Sequence, residues 1–98
     1  MRVHWTKNAI KHLADIHAYI SENSHIYATR MVDRLTKHSE QIAAFPRSGR
    51  MVPEFQAEDI REVIERRPYR IIYRIKPEQI DVLAVIHGAR QIDRYMIN

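Results

Sequence analysis

Near residue 46 the spacing of apolar residues changes from helical to strand-like, and this change constrains the fold more than any other feature. Ahead of it, Ala9, Ile10, Leu13, Ile16 and Ile20 recur at the three-to-four spacing that lines one face of a helix. Thr6 stands before them as an N-cap, and the run stops near "SENSH", where Ser21, Asn23 and Ser24 favour caps and turns. Ser24 in turn caps a second helix. Its stripe is Ala28, Met31, Val32, Leu35 and Ile42, with Ala43 and Phe45 at the end and Pro46 forbidding continuation. Two helices joined by so short a turn form an antiparallel hairpin.

Beyond "PRSGR", a loop with Gly49 at its tip, the period becomes two. "IREVIERR" leads to Pro68, then "YRIIYRIK", a turn at "PEQ", and "IDVLAVIH". Three strands with short connections make an antiparallel meander, with Pro68 between strands or opening one. "MRVHW" adds a short N-terminal strand, and "ARQIDRYMIN" after Gly88 is a tail. The 98 residues, without repeats or linkers, read as one domain, 1–98. The expected fold is α+β: an N-terminal strand and a helical hairpin packed on one face of a small antiparallel sheet. Its core should join Leu13, Ile16, Met31 and Leu35 to Ile71, Tyr73 and Ile75.

The strand "YRIIYRI" then raises a question. If Tyr69, Ile71, Tyr73 and Ile75 meet the helices, Arg70, Ile72 and Arg74 face the other way, onto a sheet face that the helices leave open. The chain carries +4 with a pI near 9.7, a balance that suits a nucleic-acid or acidic partner. Residues 1–45 hold six Lys/Arg and four Asp/Glu, and residues 46–98 hold ten and eight, so each half nets +2 and any basic patch must arise by folding. Arg61, Arg70, Arg74, His87 and Arg90 could hold a phosphodiester and move a proton. The plainer alternative is that the arginines are strand positions paired across the sheet with Glu62, Glu65 or Asp81.

Other chemistries find little support. There is no cysteine, hence no disulfide and no thiolate. His12 and His17 are five apart and do not share a helix face, and His38 sits at the boundary of the second stripe. Trp5 and Phe55 read as core or lid residues. No cofactor and no metal site are expected. No apolar run reaches membrane-spanning length and the N-terminus lacks a signal-peptide core, so a cytoplasmic protein without membrane contact is expected.

The ordered set "WTKNAIKHLADIHAYI", "FPRSGRMVPEF", "IREVIERRPYRIIYRI" and "IDVLAVIHGAR" resembles the RelE/ParE superfamily of toxins from bacterial type II toxin–antitoxin modules, also known as plasmid stabilisation proteins, over residues 3–92. The resemblance implies the same fold and a growth-arresting toxin held inactive by a cognate antitoxin, with operator DNA reached only through that antitoxin. In the RelE-like branch, which cleaves mRNA on the ribosome without a metal, the matching positions would be Arg61, Arg70, His87, Arg90 and Tyr95 in a catalytic role. Tyr95 is offset from the expected place, and "REVIERR" carries glutamates where that branch is lysine-rich. The long first helix and the "GRMVPE" loop are closer to the ParE-like branch, which poisons DNA gyrase and is not a nuclease. There Arg70, Arg74 and Arg90 are expected to contact target or antitoxin. A third reading is a degenerate, non-toxic member that only binds antitoxin.

Overall fold

The computed structural model describes residues 1–65 and 69–97. The elements run β1 (Arg2–Trp5), α1 (Lys7–Ser21), α2 (His25–Ala44), β2 (Arg50–Met51), β3 (Ile60–Glu65), β4 (Tyr69–Ile75) and β5 (Gln79–His87). Short 3-10 turns lie at Pro46–Ser48 and Arg94–Met96. The reading of Pro68 falls outside the described residues. Both expected caps are in place: Thr6 Oγ1 accepts from Ala9 N at 3.1 Å, and Ser24 Oγ accepts from Tyr27 N at 3.1 Å. Each satisfies an otherwise orphaned amide at a helix start. No helix among the described residues is long and apolar enough to cross a membrane.

The five strands form one sheet in the order β1-β5-β4-β3-β2. β3, β4 and β5 are the expected antiparallel meander. β1, however, pairs parallel to β5, so the sheet is mixed rather than wholly antiparallel. A parallel neighbour needs a long crossover, and the helical hairpin with the strands after it supplies one. β5 lies between β1 and β4 and is buried from Ile80 to Ile86, which is why its sequence, Asp81 apart, is an apolar run rather than an alternation. A bulge at Leu83 pairs Ile72 with Ala84 and Tyr73 with Val82. Ile80, Val82 and Val85 consequently join the helix-side core, while Leu83, Ala84 and Ile86 join the other face.

The helix-side core matches expectation in four of the seven residues named for it. Met31, Leu35, Ile71 and Tyr73 are buried together, with Leu13, Ile16 and Ile75 packed at its margin. Tyr73 is fully buried; its hydroxyl donates to Pro46 O at 2.6 Å and accepts from Gly49 N at 3.1 Å. Gly49 permits that approach, because a Cβ there would collide with the Tyr73 hydroxyl and the Glu62 carbonyl. This contact ends the loop and starts β2, a strand not foreseen from "GRM".

The second face departs from expectation: it is not open. Val52, Phe55 and Ala57 from the β2–β3 loop and Ile92, Met96 and Ile97 from the tail cover Ile60, Ile72, Leu83, Ala84 and Ile86. These covering segments are irregular and carry no helical or strand period, so the sequence pattern did not announce them.

Candidate functional site

The alternation of β4 turns Arg70 away from the helices, onto the face where Glu62 of β3 also points. Under the tail both are buried, Arg70 at 5% and Glu62 at 1% exposure. Arg70 Nε donates to Glu62 Oε1 at 2.7 Å and Nη2 lies 2.7 Å from the same oxygen. Nη1 and Nη2 donate to the two oxygens of Glu54 at 2.9 and 2.8 Å, and Nη1 also donates to the carbonyl of Arg90 at 3.3 Å. A guanidinium has five N–H donors in a fixed fork; Arg70 makes four hydrogen bonds here, and Nη2 pairs with Glu62 as well. Arg50, at the outer edge, donates from Nε to the other oxygen of Glu62.

The electrostatics follow from the geometry. The Arg70 guanidinium pulls the Glu54 carboxyl down to about 2 through hydrogen bonding; burial opposes this, and the amides of Glu54 and Ile92 assist. The hydrogen bonds that Arg70 donates to Glu54 and Glu62 in turn raise its own pKa against burial. Glu54 Oε2 also accepts from Ile92 N at 3.3 Å. The network thus ties the tail to the sheet at Arg90 and Ile92. A shallow cavity of about 390 Å³ opens beside it, lined by Arg50, Pro53, Glu54, Arg70, Gly88 and Gln91.

A second anchor comes from α1. β1 ends opposite Val82, and polar side chains take over as partners of β5. Thr6 Oγ1 donates to Val82 O at 2.8 Å and Asn8 Nδ2 to Leu83 O at 2.9 Å, while Val85 N donates to His12 Nδ1 at 3.1 Å. Asn8 Nδ2 reaches the tail as well, at Met96 O, 2.9 Å. Burial lowers the His12 pKa, with Lys11 and Arg90 acting in the same direction and Asp15 against. An imidazole that accepts an amide proton on Nδ1 must be neutral.

The remaining residues singled out from sequence are dispersed. Arg61 lies on the helix-side face beside Tyr73, donating to Glu58 O and Gly49 O at 3.0 Å each. His87 is exposed and packs edge-on to Tyr69 at 6.2 Å. Arg74 is partly exposed, 3.7 Å from Asp59. The Arg90 side chain is exposed; only its carbonyl meets Arg70. Tyr95 is 91% exposed in the final 3-10 turn. Arg70 therefore meets two carboxylates rather than Arg61, His87 or Tyr95. Glu62 was among the cross-strand partners expected for the arginines. Glu54 was not, since nothing local links a loop glutamate to a strand sixteen positions later. Glu65 pairs instead with His38 at 2.7 Å and Asp81 with Lys76 at 2.7 Å. Among the described residues no group of His, Cys, Asp or Glu is arranged to hold a metal ion.

A family model described as the ParE toxin of type II toxin-antitoxin system, parDE, matches residues 3–92. Y4kP of Sinorhizobium fredii, named as a toxin, is 34% identical over 91 residues, covering 92% of this chain and 91% of the relative. Toxin RelE2 of Caulobacter vibrioides is 30% identical over 89 residues, covering 91% and 97%. Among solved structures, a chain of the chromosomal ParDE toxin–antitoxin system from P. aeruginosa superposes with a TM-score of 0.74 at 21% identity, covering 89% of this chain and 95% of that one, which is a likeness of fold.

Proposed function

The chain belongs to the ParE toxin family of type II toxin–antitoxin systems, and from that premise we propose that it arrests growth in the cytoplasm by forming an inhibitory complex with DNA gyrase, until an antitoxin sequesters it. The observation that carries this reading is the occupation of Arg70 by two carboxylates. A ribonuclease of the related branch would use this position to hold phosphate. Here two carboxylates, the buried Glu62 and the half-buried Glu54, occupy the guanidinium fork, and a phosphate would have to displace both against strong hydrogen bonds. Arg61 on the opposite sheet face and Tyr95 in the exposed final turn add no convergent donors. An inhibitor that binds a protein target needs no such convergence. Arg74 and Arg90, both partly or fully exposed, are the cations we assign to contact with target or antitoxin.

The relative named RelE2 keeps a second reading in view, ribosome-dependent cleavage of mRNA. One experiment separates the two. The purified chain is added to a gyrase supercoiling assay and, in parallel, to a translating extract containing a reporter mRNA. The proposal expects supercoiling to be blocked and the mRNA to stay intact. Cleaved mRNA with normal supercoiling would establish the second reading and reject the first.

A further inference from the structure

Beyond Trp5 no strand among the described residues lies along the outer side of β5, and the helix that stands in its place is held there by a group that titrates. β1 reaches only Val82. Past that point Asn8 and His12, four apart and so on one face of α1, supply partners for the β5 backbone. The side-chain amide of Asn8 has two N–H donors, and they go to Leu83 O and Met96 O at 2.9 Å each. One side chain thus joins the helix, the strand and the tail. A turn further on, His12 Nδ1 accepts from Val85 N at 3.1 Å. Of these contacts it alone is lost when a proton is gained.

The surroundings of His12 decide what that proton would do. Asp15 and Lys11 face it from its own helix and Arg90 from the tail. β5 brings no charge to it, since the strand is apolar from Val82 to Ile86. Two of the three charges are cations, so an imidazolium adds a third beside Arg90, at the root of the tail. It also sets an N–H against the N–H of Val85, a residue only 4% exposed. Burial already disfavours the charged ring. The closed arrangement therefore holds above the imidazole's ordinary 6.5 and yields as pH falls below it. The tail is tied down at Arg90 O, Ile92 N and Met96 O, and the last of these ties runs through α1. Beneath the tail lie Leu83, Ala84 and Ile86.

We propose that His12 is a proton-operated latch: when its ring takes up a proton, α1 lifts from Val85, the tail loses its hold at Asn8, and the apolar floor of Leu83, Ala84 and Ile86 opens to solvent while the helix-side core stays closed. The latch does not depend on which target the toxin has. The test is a titration of the full chain, labelled with nitrogen-15, from about pH 7.5 to about pH 5, the range in which histidine changes charge. Glu54, whose carboxyl is held down to about 2, does not titrate there. The ring nitrogens report when His12 is charged. Amide exchange, corrected for its own dependence on pH, reports what has opened. As His12 takes its proton, the amides of Val85, Ile92 and Met96 should lose protection by at least about tenfold, and Ile71 in the middle of β4 should keep its own. His12→Asn places a non-titrating oxygen where Nδ1 stands and should keep the tail protected throughout. Full protection of Val85 and Met96 at a pH where the ring signals show His12 charged overturns the proposal, and this result needs no variant. Loss at Ile71 in step with the tail also overturns it, because that is global unfolding. So does a folded His12→Asn chain whose tail opens at the same pH as the wild type.

Discussion

The two faces of the sheet are closed by different physics. Toward the helices the cover is regular: two capped helices lay an apolar stripe over Ile71, Tyr73, Val82 and Val85. On the far side the cover is a loop and a tail with little regular structure, and apolar contacts share the work with a chain of charges running Arg50–Glu62–Arg70–Glu54. A helix brings its own backbone hydrogen bonds to an interface. An irregular tail does not, so its carbonyls and amides must be met by side chains. Arg70, Glu54 and Asn8 meet those of Arg90, Ile92 and Met96. The charges on this face therefore act as fasteners, and they occupy the guanidinium of Arg70.

The largest effect should come from breaking the fastened face. Arg70→Met strands Glu62 and Glu54 without their shared partner. Removing one member of a buried pair costs about 3–5 kcal/mol, and urea denaturation should show that loss together with faster amide exchange in the tail. A change near zero would mean that the network contributes nothing the apolar contacts do not. On the helix side Ile71→Ala should cost about 2–5 kcal/mol, as for large-to-small core changes, but should leave tail exchange unaltered until the chain unfolds globally. If both variants loosen the tail equally, the two faces are one cooperative unit and the contrast drawn above is lost.

A smaller effect follows from pH. His12 titrates below its ordinary 6.5 in the folded chain because it is buried, so the unfolded chain binds the proton more readily. Stability should be complete above about pH 6.5 and decline as pH falls from there toward the folded pKa. His12→Gln, titrated by thermal melting, should flatten the profile across that window. Glu54 has the same sign much lower: its contribution is present above its ordinary 4.5 and is lost as pH falls through about 2. A wild-type profile flat between neutrality and pH 5 would remove the His12–Val85 contact from the account.

How far the sequence could be read follows the same division. Thr6, Ser24 and the helical stripes act over a few residues, so they could be read from local order. The facing of "YRIIYRI" was legible for the same reason, as was Glu62 among the arginine partners, because adjacent antiparallel strands fix their own register. The parallel seat of β1, the bulge at Leu83 and the pairing of Arg70 with Glu54 depend on segments far apart in the chain. No local period carries them. The expectation of an open basic face failed there: it counted the cations of β4 and could not see the tail that covers them.

The central claim is that Arg70 fastens the tail and takes no part in chemistry. Replacing the network as a unit tests it most directly. Arg70→Met combined with Glu62→Leu and Glu54→Gln removes the guanidinium without stranding a buried charge, a kind of exchange that is often neutral for stability. The measurement is growth after induction without antitoxin, with circular dichroism and a melting curve to confirm the fold. The account predicts that the folded triple variant still arrests growth. A folded variant that cells tolerate would contradict it and return Arg70 to the functional site.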